Sequence, residues 1–154
     1  MRASPARTVT VTAAGAVGSQ VVGTDNSAAG YTDAEIEQLL ARSLGRDFLM
    51  HYLLPNSNDR AGATEAIGVI YLPIQGAAGN VNIKAGSFKR TGNHFQLAGR
   101  VHDLFGANPR GARFLSDRIE VTTTMPKPGD PRCCPTGQAR WSIERNSLKA
   151  HRLR

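Results

Sequence analysis

The feature that most constrains this chain is a series of segments in which apolar residues recur at every second position. In "SDRIEVTTTM", at 116–125, Ile119 and Val121 alternate with charged and polar side chains. The same alternation occurs at residues 80–86, 93–103 and 139–145. Such segments are typical of β-strands with one face toward a core. The segment at 64–74 is apolar on both faces, which favours a central strand covered on both sides.

One helix is expected before these strands. Thr32 followed by Glu35 is a capping box, and it predicts a helix over about 33–44. Its apolar residues fall at helical spacing: Ile36, Leu39, Leu40 and Leu44. A continuation of the helix through 47–54, ended by Pro55, is left open. The sequence therefore predicts an α+β fold, with an N-terminal helix packed on a four- to five-stranded antiparallel sheet.

The chain of 154 residues is expected to form one α+β domain at 31–148, with a basic C-terminal tail at 149–154. Residues 1–30 are expected to be a flexible N-terminal tail or a degenerate signal. Arg2 and Arg7 precede a weakly apolar stretch, in the order of a secretory signal. A β-rich arm is a further alternative for this segment. No apolar run is long enough to predict a transmembrane segment.

Charge is unevenly distributed along the chain. Residues 1–83 contain 5 basic and 7 acidic side chains, whereas residues 84–154 contain 14 basic and 5 acidic ones. A basic C-terminal half suggests an anionic partner, and an acidic protein or an envelope assembly is preferred over nucleic acid. The candidate contact residues are Lys84, Arg100, Arg110, Arg118, Arg132 and Arg140.

Four of these basic residues, Lys84, Arg100, Arg118 and Arg140, are predicted to project from the outer face of the one sheet. Glu120 is expected on the same face, paired across strands with Arg100 or Arg140. The segment "NPRGAR", at 108–113, is interpreted first as a turn, and an anion site made by its backbone amides and Arg110 is the alternative.

The motifs of common enzyme classes are not found in the sequence. There is no Gly-x-Ser-x-Gly elbow, P-loop or Gly-rich dinucleotide fingerprint. The histidines His51, His94, His102 and His151 lack metal-ligand spacing, and there is no Cys-x-x-Cys pair. We therefore predict a non-enzymatic protein with no cofactor and no metal site.

Both cysteines of the chain, Cys133 and Cys134, are adjacent in the turn "PGDPRCCPTG" at 128–137. This turn is predicted to connect the last two predicted strands. Any intramolecular disulfide must be vicinal, and it would add little to stability because the loop it closes contains no intervening residue. Three alternatives remain: two thiols in a proline-bounded loop, a vicinal or intermolecular disulfide, and catalytic or soft-metal chemistry.

The turn carries a resemblance to a known group of proteins. Its residues Asp130, Pro131, Cys133, Cys134, Pro135 and Thr136 match an Asp-Pro-x-Cys-Cys-Pro-Ser/Thr motif. The chain thus resembles, over about 63–145, small exported bacterial proteins of unknown function that carry this motif near the C-terminus. The resemblance implies a periplasmic or secreted setting, in which vicinal cysteines tend to oxidise, and it implies no enzymatic activity. Otherwise a cytoplasmic location is expected.

The sequence leaves three candidate functions. The first is a non-enzymatic binding or accessory protein of the bacterial cell envelope, whose basic face meets an acidic partner. The second is a thiol-redox or soft-metal-handling protein that uses Cys133 and Cys134. The third is a nucleic-acid-binding module that uses the basic face of the sheet.

Overall fold

The computed structural model describes residues 29–74 and 81–153, and its secondary structure there is one helix followed by eight strands. The predictions of a flexible tail, a degenerate signal or a β-rich arm at the N-terminus concern residues that lie almost entirely outside this described part. These are α1 (Asp33–Ser43), β1 (Met50–Pro55), β2 (Glu65–Pro73), β3 (Val81–Thr91), β4 (His94–Val101), β5 (Ala107–Phe114), β6 (Arg118–Met125), β7 (Gly137–Glu144) and β8 (Ala150–Arg152). No helix in this part of the chain is long and apolar enough to span a membrane.

Helix α1 begins at the predicted capping box. The Thr32 hydroxyl accepts a hydrogen bond from the Glu35 backbone N–H at 3.1 Å, and the Glu35 carboxylate accepts one from the Thr32 N–H at 2.8 Å. The helix does not continue through 47–54, because that segment leads into β1 and forms most of it. Gly45 has φ +145° and Asp47 has φ 64°, and these backbone conformations end the helix and turn the chain toward the sheet.

The strands form two antiparallel sheets of four, so the prediction of one sheet with four to five strands is wrong, although an α+β class still describes the chain. The first sheet has the order β1-β2-β3-β4, and the second has the order β5-β6-β7-β8. Between β4 and β5, Asp103 has φ 64° and Gly106 has φ 102°, and the chain passes there from one sheet to the other. Alternation identifies strands but does not show which strands share a sheet.

Strand β5 occupies the segment that was interpreted as a turn. Asn108 and Gly111 do have positive φ, at 52° and 62°, as a turn prediction would suggest. They form irregularities within a strand instead, and the register of β5 against β6 shifts twice around Arg110. Such irregularities occur at sheet edges, where they hinder pairing with other chains.

The first sheet is covered on both faces. Helix α1 packs on one face, where its apolar side chains join Ile70 and Phe88 in one buried cluster. The second sheet packs on the other face, where Val69 meets Val121 and Trp141 in a second cluster. The expectation of a central strand at 64–74 is confirmed, because β2 pairs with both β1 and β3 and buries both faces.

The two sheets are joined at one corner by backbone hydrogen bonds. The His102 N–H donates to the Leu148 carbonyl at 2.9 Å, and the Ala150 N–H donates to the His102 carbonyl at 2.8 Å. The segment predicted as a basic C-terminal tail, 149–154, therefore contains β8 and contributes to the second sheet.

A half-buried ion pair also links the sheets. Arg145 donates to both carboxylate oxygens of Glu65, at 2.9 and 3.1 Å, and to the Leu115 carbonyl at 2.8 Å. Glu65 lies on β2 in the first sheet, and Arg145 directly follows β7 in the second. Such bidentate geometry is the strong form of a charge-assisted hydrogen bond.

Candidate functional site

The outer face of the second sheet carries a group of arginines around one carboxylate. On β6, Ile119 and Val121 point into the core, so the residue between them, Glu120, lies on the opposite face. Antiparallel register places Arg113 of β5 beside Glu120, and Arg140 of β7 beside the neighbouring Thr122. Arg118 lies two residues before Glu120 on the same strand, and therefore on the same face.

We call Arg113, Arg118, Arg140 and Glu120 the arginine cluster. Arg140 donates to Oε1 of Glu120 at 2.7 Å, Arg113 donates to the same atom at 3.3 Å, and Arg118 Nε donates to Oε2 at 3.0 Å. The Glu120 side chain is only 7% exposed, whereas those of the three arginines are between 41% and 63% exposed. The carboxylate is thus covered by guanidinium groups that themselves reach solvent.

The electrostatics of the cluster favour the ionised carboxylate. The hydrogen bond from Arg118 lowers the pKa of Glu120, the charges of Arg140 and Arg113 act in the same direction, and burial opposes them. The same hydrogen bond raises the pKa of Arg118. Glu120 therefore stays charged at neutral pH and holds the arginines in fixed positions.

The four residues predicted to share the outer face of one sheet do not share one surface, so that prediction is wrong. Lys84 is in register with Ile70, whose side chain packs on α1, so Lys84 lies on the helix side of the first sheet. Arg100 is in register with Gly86 on that same side. Lys84 and Arg100 are separated from the other predicted contact residues because their strands belong to the first sheet.

The remaining predicted contact residues lie on the strands of the second sheet or in the turn between β6 and β7. Arg118 and Arg140 are in the cluster, and the pairing of Glu120 with Arg140 is confirmed, whereas Arg100 lies in the other sheet. Arg110, on β5, donates to the Thr124 hydroxyl of β6 at 3.0 Å. Arg132 is exposed in the turn between β6 and β7.

Sequence analysis missed Arg113. It was overlooked because the segment at 108–113 was interpreted as a turn, in which its side chain would have had no defined face. A signal was present in the alternation of Arg113 with the apolar Ala112 and Phe114, both of which pack against the core between the sheets.

The cysteine turn lies between β6 and β7, as predicted, and Cys133 and Cys134 form a vicinal disulfide. Both cysteines are exposed. The carboxylate of Asp130 organises the turn, because it accepts hydrogen bonds from the Lys127 N–H at 2.7 Å and the Thr136 N–H at 2.8 Å. These backbone hydrogen bonds lower the pKa of Asp130.

Reduction of the Cys133–Cys134 bond is expected to change the free energy of unfolding by less than about 1 kcal/mol, because the bond closes a loop with no intervening residue. Mass spectrometry of the intact monomer should show a gain of two hydrogens on reduction. Urea denaturation with and without a dithiol reductant measures the stability. A double Cys133→Ser, Cys134→Ser variant, which should not respond to the reductant, is the control. A loss of several kcal/mol on reduction would show that the bond stabilises the fold.

A second polar cluster lies where α1 meets β1. Asp33 and Glu37 lie one turn apart on α1, and His51 is the second residue of β1. His51 Nε2 lies 2.9 Å from Asp33 Oδ1, and one ligand atom from each of the three residues lies within 4.8 Å of the other two. Sequence analysis missed this cluster because its third member comes from a segment for which a helix was considered. The spacing of the two acids on α1 was the available signal.

One cavity, of about 170 Å³, lies beside α1. It is lined by Tyr31, Glu35, Ile36, Gln38, Leu39, Arg42, Leu53, His94 and Phe95. Pockets for organic ligands usually measure roughly 300–1,000 Å³. This cavity is therefore small for an organic substrate.

Comparisons of the chain with protein-family models, with curated proteins and with solved structures give no match.

Proposed function

We propose that this protein is a non-enzymatic binding or accessory protein of the bacterial cell envelope, and that the arginine cluster binds an acidic surface of a partner protein. The observation that carries the proposal is the sharing of one carboxylate oxygen. Arg113 and Arg140 both donate to Oε1 of Glu120, and neither side chain makes another hydrogen bond or ion pair with the described residues. Each guanidinium has five N–H donors, so most of them remain available to a partner.

Glu120 gives the cluster its orientation. Flexible arginines lose conformational entropy when they bind, and a carboxylate that already holds them reduces this cost. Asp117 at the edge of the cluster pairs with Arg118 at 2.9 Å, which leaves Arg113 and Arg140 as the arginines best placed to contact a partner. Bidentate contacts with the carboxylates of a partner match the planar guanidinium geometry.

An acidic protein fits this surface better than nucleic acid does. Single-stranded nucleic acids are bound on sheets by exposed aromatic side chains on which bases stack. On β6 and β7, the outward residues from Arg118 to Thr124 and from Gln138 to Glu144 include no Phe, Tyr or Trp.

The envelope location is supported by the cysteine turn. Disulfides persist mainly in oxidising compartments, such as the bacterial periplasm, and the paired Cys133 and Cys134 fit such a setting. The exposure of this bond also supports a second candidate function, which is thiol–disulfide exchange with a partner dithiol. Rapid exchange with a reduced dithiol protein, at neutral pH, would favour this second function.

The test of the arginine cluster is a double variant, Arg113→Gln with Arg140→Gln, assayed for binding to poly-glutamate and to duplex DNA. Glutamine can still donate to Glu120, and Arg118 remains in place, so the fold should be kept. We expect binding to poly-glutamate to weaken by about tenfold, as for the loss of two charge-assisted contacts. Titration of salt in the same assay measures the electrostatic contribution.

The matched control is Lys84→Gln with Arg100→Gln, which removes the same charge from the helix side of the first sheet. This control should bind poly-glutamate nearly as well as the unmodified protein. An equal loss in both double variants would show that net charge, rather than the cluster, governs binding. Tighter, steeply salt-dependent binding to DNA would favour the nucleic-acid function instead.

A further inference from the structure

We propose that Asp33, Glu37 and His51 form a binding site for a divalent transition-metal ion of the zinc class. The three residues offer two carboxylates and one imidazole, and they come from two different elements of the fold. Their ligand atoms lie within 4.8 Å of one another. The site is separate from the arginine cluster, because it lies on the helix side of the first sheet.

The spacing of the ligand atoms suits a metal ion. A zinc-class ion lies about 2.0–2.2 Å from nitrogen and oxygen ligands, so neighbouring ligand atoms are separated by roughly 3–3.5 Å. Nε2 of His51 and Oδ1 of Asp33 already lie 2.9 Å apart. Glu37 is exposed, so a change of rotamer can bring its carboxylate to the remaining distance.

The imidazole is held in place by its surroundings. The His51 side chain is 12% exposed, and its ring packs against Phe48 with the ring centroids 5.4 Å apart. This packing limits rotation of the ring, while Nε2 points toward the two carboxylates of α1. A ligand fixed in this way loses little conformational entropy when it binds an ion.

The charges of Asp33 and Glu37 provide a second, independent argument for a metal site. The Glu37 side chain makes no hydrogen bond or ion pair with the described residues, and the Asp33 side chain pairs only with His51. Two carboxylates one helical turn apart repel each other and destabilise a helix. The Arg60 side chain pairs with Glu35 instead, and no described Lys or Arg pairs with Asp33 or Glu37. A divalent cation would compensate both charges.

The ligand set indicates which ions fit. Imidazole nitrogen favours Zn²⁺ and related transition ions over Mg²⁺ and Ca²⁺, which prefer oxygen ligands alone. The absence of a thiolate from the three residues disfavours Cu⁺. Three protein ligands leave at least one coordination position for solvent, as in open zinc sites.

The test has two measurements on the metal-free, disulfide-bonded protein. Isothermal titration calorimetry with ZnCl₂ measures the affinity and the number of ions bound, and scanning calorimetry measures the unfolding midpoint with and without Zn²⁺. We expect one ion per chain and, at free Zn²⁺ about 100 times the dissociation constant, an increase of roughly 5–10 °C in the unfolding midpoint. Glu37→Gln should weaken Zn²⁺ binding at least tenfold, because the variant removes one anionic ligand. This substitution leaves the hydrogen bond between Asp33 and His51 intact, so the fold should be unaffected.

The control is His151→Gln. His151 lies 3.4 Å from Glu144 in a similar histidine–carboxylate pair, but among the described residues no third carboxylate, imidazole or thiolate lies beside it. This variant should bind Zn²⁺ as the unmodified protein does. Co²⁺ provides a spectroscopic check, since its visible absorption should depend on Glu37 and His51. Unchanged Zn²⁺ affinity in Glu37→Gln, or equal losses in Glu37→Gln and His151→Gln, would overturn the proposal.

Discussion

Replacement of Thr123 by valine is expected to lower the free energy of unfolding by about 2–4 kcal/mol. The Thr123 side chain lies in the core between the two sheets, where its hydroxyl accepts a hydrogen bond from Trp141 Nε1 at 2.8 Å and donates one to the Phe105 carbonyl at 2.7 Å. Valine has nearly the same shape but cannot replace either bond. Each buried polar group left without a partner costs about 1–3 kcal/mol.

The matched control for this prediction is Thr122→Val. Thr122 is the preceding residue of β6 and lies on the outer face, so its replacement should change stability by less than about 0.5 kcal/mol. Urea denaturation followed by the fluorescence of Trp141, the single tryptophan, measures both variants. A third variant, Thr123→Ser, keeps the hydroxyl and should retain most of the stability. Equal effects of the two valine variants would contradict the importance of the buried hydrogen bonds.

The location of these hydrogen bonds explains their importance for the fold. Phe105 and Gly106 belong to the segment that leads from the first sheet to the second, between β4 and β5. The Tyr71 hydroxyl of β2 donates to the Gly106 carbonyl at 2.7 Å, while Thr123 of β6 holds the Phe105 carbonyl. The segment between the sheets is therefore fixed to both of them.

Features determined by nearby residues could be predicted from the sequence. The capping box at Thr32 depends on residues within one helical turn. The side chains of β6 that face the core follow from the alternation of apolar and polar residues around Val121. The central position of β2 followed from its two apolar faces. The assignment of strands to two sheets could not be predicted, because it depends on contacts between segments distant in the chain.

The same distinction applies to the candidate sites. The pairing of Glu120 with Arg140 could be predicted, because their strands are neighbours and each residue alternates out of the core. The pairing with Arg100 was excluded only by the separation of the sheets. The cluster at His51 required knowledge that β1 lies against α1, which the apolar composition of 47–54 did not provide, since short apolar runs fit a helix or a strand.

Replacement of Glu120 by glutamine is expected to lower the free energy of unfolding by about 1–3 kcal/mol at neutral pH. Glutamine fills the same space, but it removes the negative charge that holds Arg113, Arg118 and Arg140 together. The effect should be smaller than for a fully buried ion pair, because the three guanidinium groups can turn toward water.

The pH dependence of stability should identify the charge as the cause. The pKa of Glu120 is lower in the folded protein than in the unfolded chain, so the folded state favours the ionised carboxylate. Its contribution to stability is therefore present above the ordinary glutamate pKa of 4.5 and is lost as the pH falls through the lower, folded-state value. The variant lacks this contribution at every pH, whereas the unmodified protein loses it in acid. The difference in free energy of unfolding between the two proteins should therefore shrink as the pH falls.

Glu144→Gln is the control for this prediction. Glu144 is also on the outer face, but its side chain is more than half exposed and pairs with His151. The change should cost less than about 0.5 kcal/mol at neutral pH, since exposed ion pairs contribute little. Urea denaturation at a series of pH values between neutrality and acid compares the two variants. The free energy of unfolding of Glu120→Gln could instead differ from that of the unmodified protein by the same amount at every pH. In that case the cause would be altered packing, and the prediction that the carboxylate charge holds the arginine cluster together would be wrong.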